Sequence, residues 1–153
     1  MEIRRYLPGD DAALADVFVK AVRSTSTEDY SAEQIEVWAS IAEDRRKWSK
    51  GLKGRIGFVA EQDAEALGYI TFEPNGHIDH LFVAGRFQRR GVALALYRRV
   101  EREARGRALR RIFVEASVKA RLFFESVGFS LITAQTVLCK GVPFVSYKME
   151  MFL

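Results

Sequence analysis

The chain has 153 residues, a net charge of +4 and an isoelectric point near 9.4. This length suits one ordinary domain whose core is stable without disulfides, so residues 1–153 are expected to form a single domain. The only cysteine, Cys139, excludes an internal disulfide, and no zinc-type spacing of Cys and His occurs. The N-terminal segment is charged, and no apolar run reaches the roughly 18 residues of a membrane span. We therefore expect a cytoplasmic protein with no metal and no membrane partner.

The N-terminal third of the chain predicts a strand followed by two helices. Ile3 to Tyr6 has the composition of a short strand, and Ala12 to Val22 carries apolar residues at spacings of three and four, which is typical of a helix with one buried face. Ser31 is placed to cap a second helix. The charged segment from Arg45 to Lys53 is interpreted as a helical tail and linker.

The remainder of the chain predicts strands interrupted by two helices. Apolar runs bounded by turn residues indicate strands over Ile56–Glu61, Leu67–Phe72, His77–Val83, Arg111–Ala116, Leu131–Leu138 and Val142–Met151. Helices are expected over Gly91–Ala104 and Ala120–Val127. This order predicts an α/β fold of the α+β type, with a mixed, mostly antiparallel central sheet flanked by helices.

The segment from Leu81 to Ala93 is an apolar strand, a turn and a basic loop that runs directly into a helix. The first N–H groups of such a helix have no partner within it, and the helix dipole adds partial positive charge, so this order predicts an anion site. Gly91 allows a phosphate to approach closely. The cations around the loop are Arg86, Arg89 and Arg90. The alternative is a helix with a basic N-terminus that binds no ligand.

Two motifs in this order resemble the GNAT superfamily of N-acetyltransferases. Gln88–Ala93 looks like the pyrophosphate loop of that family, Gln/Arg-x-x-Gly-x-Gly/Ala, and Ala120–Phe129 is similar to its second signature, a short helix that ends in an acidic residue and Gly-Phe. Tyr30–Gln34 with Trp38, and the Gly141–Val142 turn, further resemble the YafP-like branch. The resemblance implies the GNAT fold and an acyl-CoA-dependent N-acetyltransferase whose cosubstrate is acetyl-CoA.

In that family two central strands splay apart and open a slot for the cofactor, and the resemblance assigns Leu81–Val83 and Phe113–Ala116 to those strands. Exposed groups along a strand edge can pair with the amides of pantetheine as an added strand would. The resemblance therefore implies that the cofactor is held by Leu81, Phe82, Val83, Gln88, Arg89, Arg90, Gly91, Val92, Ala93, Leu94, Ser117, Phe123 and Phe124. The alternative for the last two rings is that they belong to the core.

A general base is expected on the strand that leads to the cofactor. His77 and Asp79 are two residues apart and should therefore point to one face of that strand. By the resemblance, Asp79 occupies the position from which many members remove the proton of the amine, often through water. Asp79 is accordingly the first candidate and His77 the second. The alternative is ordinary polarity at a hairpin end, with Asp79 and His80 solvated.

The sequence leaves several candidates for the group that protonates the departing thiolate. Many members of the family place a tyrosine where this chain has Phe124, and a phenyl ring donates no proton. The replacements to weigh are water, which is favoured, then Tyr147, and the hydroxyl of Ser117. Cys139 is more simply interpreted as a buried strand residue than as a nucleophile, because no helix N-terminus or histidine is evident beside it.

Tyr30 and Trp38 lie in the region that forms the acceptor wall in this family. Aromatic rings there would hold a planar or cationic amine by stacking or by cation–π contact. The alternative for Trp38 is that it fills the core.

The predicted activity is direct transfer of an acetyl group from acetyl-CoA to a primary amine of a small molecule, within a ternary complex. The main alternative is a non-catalytic acyl-CoA-binding or regulatory module, which Phe124 favours. Nucleic-acid binding is a weaker alternative, because the arginines after the loop alternate with glutamates as on a solvated helix face and no nucleic-acid motif is present. A homodimer is expected only by analogy with related folds.

Overall fold

The computed structural model describes residues 1–153 and contains one seven-stranded sheet. The strands are β1 (Glu2–Arg5), β2 (Ile56–Gln62), β3 (Glu65–Phe72), β4 (His77–Val83), β5 (Arg111–Ala116), β6 (Ser130–Cys139) and β7 (Val142–Phe152). Their order across the sheet is β1-β2-β3-β4-β5-β7-β6, and all neighbours run antiparallel except β4 and β5, which are parallel. The predicted mixed, mostly antiparallel sheet is confirmed.

Five α-helices flank the sheet. They are α1 (Asp11–Arg23), α2 (Ala32–Ala39), α3 (Arg45–Leu52), α4 (Val92–Gly106) and α5 (Val118–Ser126). The first three cover one face of the sheet, and α4 and α5 cover the other. None of the five helices has both the length and the apolar composition needed to span a membrane.

The sheet separates two apolar cores. On the α4–α5 face, Leu96 is fully buried against residues such as Ile70 of β3. On the other face, Phe18 of α1 and Trp48 of α3 pack together with a ring-centroid distance of 5.1 Å, and Tyr69 belongs to the same cluster. Tyr69 and Ile70 are consecutive on β3 and enter opposite cores, because side chains alternate between the two faces of a strand.

The segment interpreted as a helical tail and linker is a packed helix. α3 begins after Asp44, whose carboxylate accepts hydrogen bonds from two backbone N–H groups of the first turn. Its buried residues, Trp48 and Leu52, are four positions apart and face the core, and the indole Nε1 of Trp48 donates to the carbonyl of Asp11 at 2.9 Å. The linker interpretation is wrong because two buried side chains anchor a helix whose other residues are charged or small.

β4 and β5 pair over only two residues before they diverge. The register joins His77 to Phe113 and Ile78 to Val114, and no further pair follows. On its other edge, β5 stays paired with β7 along its whole length. The predicted slot between β4 and β5 therefore opens only beyond Val114. Phe113 and Val114, which were assigned to the splayed part of β5, are still paired with β4.

A β-bulge lies where the two strands part. Thr71 and Phe72 are adjacent on β3, but their partners on β4 are His80 and Ile78, so Asp79 is an extra residue with no partner of its own. Because a bulge resets the alternation of side chains, Ile78 enters the core beneath α4 while His80 packs against α1 and α3. The bulge therefore decides which side chains of β4 stand beside the slot.

Gly76 closes the turn between β3 and β4 with a φ of 97°, and a Cβ there would lie 2.4 Å from the carbonyl oxygen of Arg111. We expect Gly76→Ala to lower the free energy of unfolding by about 2 kcal/mol or more, because the strained φ and the backbone clash add together. Urea denaturation followed by circular dichroism measures this change. Gly51→Ala is the control, since Gly51 lies in α3 and a Cβ there meets nothing within 4 Å. Equal stability of Gly76→Ala and the wild type would contradict the expectation.

Candidate active site

A groove of about 360 Å³ lies where the open edge of β4 faces α5. The predicted cofactor residues that line it are Leu81, Phe82, Val83, Gln88, Arg89, Gly91, Val92, Ala93, Leu94, Ser117 and Phe123. Tyr30 and Trp38, which were expected at the acceptor wall, line it as well. The structure thus brings most of the predicted site residues to one place.

The loop between β4 and α4 has the geometry of an anion site. Arg89 and Gly91 both adopt left-handed φ angles, 63° and 77°, and Gly91 is the N-cap of α4. The six consecutive N–H groups from Arg89 to Leu94 make no hydrogen bond within the protein. Unpaired N–H groups at a left-handed turn before a helix form a concavity that suits phosphate oxygens.

Gln88 joins this loop to three other parts of the protein. Its Nε2 donates to Ser24 Oγ at 3.1 Å and to the carbonyl of Val83 at 3.2 Å, and its Oε1 accepts from the ammonium of Lys119. Lys119 also lines the groove, and sequence reasoning did not identify it. An exposed lysine in a short helix carries no sequence signal; only the fold brings this cation from α5 to the loop.

Two residues expected to hold the cofactor, Arg90 and Phe124, lie outside the groove, and so does Arg86, which was named as a cation around the loop. Arg86 pairs with Glu65 of β3, and the Arg90 guanidinium is exposed. Phe124 is 1% exposed and packs edge-on against Phe129, with 4.9 Å between ring centroids. The buried ring of Phe124 agrees with the alternative that it belongs to the core, and a cofactor contact of the exposed Arg90 stays a prediction. The turn of α5 directs the Phe124 ring into the core and leaves its neighbour Phe123 facing the groove.

Asp79 and His77 belong to an ion-pair network at the start of β4. Asp79 Oδ2 accepts a hydrogen bond from Arg55 Nε at 3.2 Å, and Arg55 also lies 3.6 Å from Glu73. His77 is held between two carboxylates, with Nδ1 2.8 Å from Glu73 and Nε2 2.9 Å from Glu115. Glu73, His77 and Asp79 offer ligand atoms within 4.8 Å of one another, but the Arg55 guanidinium already supplies positive charge there. Neither base candidate lines the groove itself.

His80 is a candidate that sequence reasoning missed. Its Nδ1 is 2.8 Å from the hydroxyl of Tyr69, its Nε2 is 3.9 Å from Asp79, and its ring packs against Phe18 and Trp48. Burial lowers the pKa of His80 and raises the pKa of Tyr69 well above its usual range, so both groups are neutral near pH 7. The alternative of a solvated hairpin end is therefore wrong for His80.

A smaller side cavity of about 220 Å³ adjoins the groove and shares Tyr30, Trp38 and Ser117 with it. Its other walls are Ile41, Ala116, Val137, Cys139, Phe144, Val145 and Ser146. The Trp38 ring lies 5.4 Å from that of Tyr30 and 6.1 Å from that of Phe82, so it both packs against the core and faces the two cavities. The lining is mostly apolar and contains no charged side chain.

The two hydroxyls considered for thiolate protonation lie in different places. Ser117 faces both cavities and caps α5, with its Oγ accepting from the N–H of Ala120 at 3.3 Å. Tyr147 pairs with Ala116 across β5 and β7, and the Arg121 guanidinium lies 4.6 Å from its ring centroid. The structure does not place Tyr147 in the lining of either cavity.

A mixed sheet whose parallel pair parts beside a glycine-containing loop is the architecture expected of a GNAT protein. The chain belongs to the GNAT acetyltransferase family, because the model of the acetyltransferase (GNAT) domain matches residues 26–151. It is accordingly an acetyltransferase of that family, as the two sequence motifs predicted.

Individual relatives agree with this assignment. The chain is 36% identical over 150 residues to the uncharacterized N-acetyltransferase YafP of Escherichia coli K12, covering 98% of this chain and 95% of that protein. A GCN5-related N-acetyltransferase from Rhodopseudomonas palustris superimposes with a TM-score of 0.95 at 32% identity, covering 99% and 95% of the two chains. The PaiA N-acetyltransferase from Thermoplasma acidophilum, crystallised with coenzyme A, has a TM-score of 0.77 at 16% identity over 99% and 98%. The predicted YafP-like resemblance is confirmed.

The His77 network makes stability depend on pH. Burial lowers the pKa of His77, but the hydrogen bond to Glu73 and the charge of Glu115 outweigh it, so the pKa is raised above 6.5. A raised folded-state pKa stabilises the folded protein at pH values below the unfolded pKa, and this contribution is lost as pH rises through the folded pKa. His77→Gln should therefore lower the free energy of unfolding more at about pH 6 than at about pH 8.5. Urea titrations at both pH values test this, and an equal loss would contradict it.

Proposed function

We propose that the protein transfers the acetyl group of acetyl-CoA to a primary amine of a small molecule by direct attack within a ternary complex. The observation that carries the proposal is the open edge of β4 ending at six unpaired N–H groups, Arg89 to Leu94. One ligand that joins amide groups to a pyrophosphate satisfies both features. Pantetheine would follow Leu81–Val83, and the pyrophosphate would lie at the N-terminus of α4.

The direction of the backbone groups on β4 supports this placement. The N–H of Ala84 donates to the carbonyl of Leu67 on β3 at 2.9 Å. Because N–H groups alternate along a strand, those of Leu81 and Val83 face the slot. The N–H of Val83 is therefore better directed than that of Phe82 to hold the oxyanion of the tetrahedral intermediate, a contribution that is worth about 3 kcal/mol in other enzymes.

The proposed base is Asp79, acting on the amine through a water molecule. Asp79 is the bulged residue at the point where β4 leaves β5, two residues before the strand segment assigned to pantetheine. The Arg55 guanidinium fixes its carboxylate, and the neutral ring of His80 stands 3.9 Å away. His77 remains the second candidate, although its two ring nitrogens are already hydrogen-bonded to carboxylates.

The side cavity is the proposed acceptor site. Its walls are mostly apolar, and Tyr30 and Trp38 stand between it and the groove. A polyamine carries several charges that this lining cannot pair, whereas an amine on an aromatic or aliphatic body would pack against the rings. We therefore propose apolar primary amines as the acceptor class.

The cofactor assignment is tested by Gly91→Asp. We expect its affinity for coenzyme A to fall at least about tenfold, because the substitution puts a strained left-handed residue and a negative charge beside the pyrophosphate. Isothermal titration calorimetry measures the affinity. Gly51→Asp is the matched control, since Gly51 lies in α3 outside the groove, and its affinity should equal that of the wild type. Unchanged binding by Gly91→Asp would place coenzyme A elsewhere.

The activity is tested by thiol release from acetyl-CoA with benzylamine or spermidine as acceptor. The wild type should prefer benzylamine, and Asp79→Asn should lower kcat by about 100-fold or more with coenzyme A affinity unchanged, because the isosteric amide cannot take a proton. Asp16→Asn removes an exposed carboxylate on α1 and should leave kcat unaltered. Binding of coenzyme A without turnover by the wild type would favour the non-catalytic module instead.

A further inference from the structure

The proposed transfer leaves one proton unaccounted for. When the carbon–sulfur bond breaks, the electron pair stays on sulfur, and the thiolate needs an acid. Phe124 has no hydroxyl and is buried, and Tyr147 does not line the groove. The hydroxyl groups that do line the groove belong to Thr25, Tyr30 and Ser117. The phenol is the strongest acid among them, because phenols ionise far more readily than aliphatic alcohols.

Tyr30 stands at the junction of the two cavities. It lines both the groove and the side cavity, and its side chain is otherwise buried, with 4% exposure. Its hydroxyl oxygen accepts a hydrogen bond from the backbone N–H of Val118 at 3.0 Å. That N–H belongs to the first residue of α5, so the phenol oxygen meets the positive end of a helix dipole. A group placed there faces both the proposed cofactor groove and the proposed acceptor cavity.

The phenol oxygen of Tyr30 has a fixed hydrogen-bond donor beside it, the N–H of Val118. Burial raises the pKa of Tyr30, and the N–H of Val118 and the hydroxyl of Ser117 offset only part of this rise, so the phenol keeps its proton until the reaction needs it. The N–H of Val118 donates to the phenol oxygen, so this contact leaves the proton of Tyr30 available for transfer. Donors fixed before the reaction stabilise a developing negative charge without reorganisation.

We propose that Tyr30 is the acid that protonates the thiolate of coenzyme A. As the tetrahedral intermediate collapses, the carbon–sulfur bond breaks and the proton of the Tyr30 hydroxyl moves to sulfur. The phenolate, held by the N–H of Val118, regains a proton from solvent after the thiol leaves. This role rests on the proposed acetyl transfer and replaces water and Tyr147 in it.

The test compares Tyr30→Phe with the wild type on two acetyl donors. One donor is acetyl-CoA, and the other is its selenoester analogue, in which a selenolate leaves without needing a proton. With acetyl-CoA, kcat of Tyr30→Phe should fall by about 100-fold or more, as expected for the loss of a general acid. With the selenoester, the two proteins should differ by less than about threefold, because the acid is not needed. The affinity for coenzyme A, measured by calorimetry, should also differ by less than about threefold between Tyr30→Phe and the wild type.

Tyr97→Phe is the matched control, since it removes a tyrosine hydroxyl that hydrogen-bonds Glu101 outside both cavities. Its rates with both donors should equal those of the wild type. An equal loss by Tyr30→Phe on both donors would show a purely structural role and overturn the assignment. Full activity of Tyr30→Phe with acetyl-CoA would assign the proton to water. No transfer by the wild type from either donor would overturn the proposed function together with this inference.

A second variant covers the case in which Tyr30→Phe does not fold. Val118→Pro removes the N–H that donates to Tyr30, and it does so at the first position of α5, where proline is tolerated. Ser117 has a ψ of 170°, the extended conformation that the residue before a proline requires. This variant should also slow transfer from acetyl-CoA more than transfer from the selenoester. Equal slowing on both would contradict a role for the N–H of Val118 in holding the phenolate.

Discussion

The early parting of β4 from β5 is the constraint on which the rest of the site depends. Two parallel residue pairs join the strands, and beyond Ile78 the facing backbone groups have no strand partner. β5 cannot move across to close the slot, because all of its residues are paired with β7. Phe113 of β5 is also hydrogen-bonded to the turn between β3 and β4, where the carbonyl of Gly76 accepts from the N–H of Phe113 at 3.1 Å. Backbone groups left in this way require water or a ligand with amides of its own.

The two ends of this opening differ in polarity, and the difference matches the two halves of the proposed reaction. Unpaired N–H groups, Arg89 and Lys119 surround the end near α4, where the phosphates of a nucleotide cofactor would be attracted. The side cavity at the other end is walled by rings and aliphatic side chains. Tyr30 separates the two, and its hydroxyl is anchored to the N-terminus of α5. The polar groups available to the proposed reaction are therefore a few backbone groups and hydroxyls, and they lie between a cationic region and an apolar one.

Features set by neighbouring residues were accessible to sequence reasoning, and features set by distant contacts were not. The helix α4 follows from Val92, Leu96 and Val100 at a spacing of four, and it occurs close to its predicted bounds, directly after the glycine-containing loop. The segment of α3 was predicted to be helical but was taken for a linker, because the hydrogen bond from Trp48 to the carbonyl of Asp11 joins residues far apart in the sequence. The bulge at Asp79 depends on how β4 pairs with β3. Simple alternation of side chains along β4 therefore does not predict that His80 packs among aromatic rings.

The division of the molecule into two cores has a consequence for how such a protein diversifies. Phe144 in the wall of the side cavity belongs to the core beneath α1, α2 and α3, whereas Val92 and Val83 of the groove belong to the core beneath α4. Substitutions on opposite faces of a sheet share few neighbours, so their energetic effects are close to additive. A lineage could therefore change its choice of nucleophile through residues such as Phe144, which the groove does not share, while Val83 and Val92 beside the common donor stay intact.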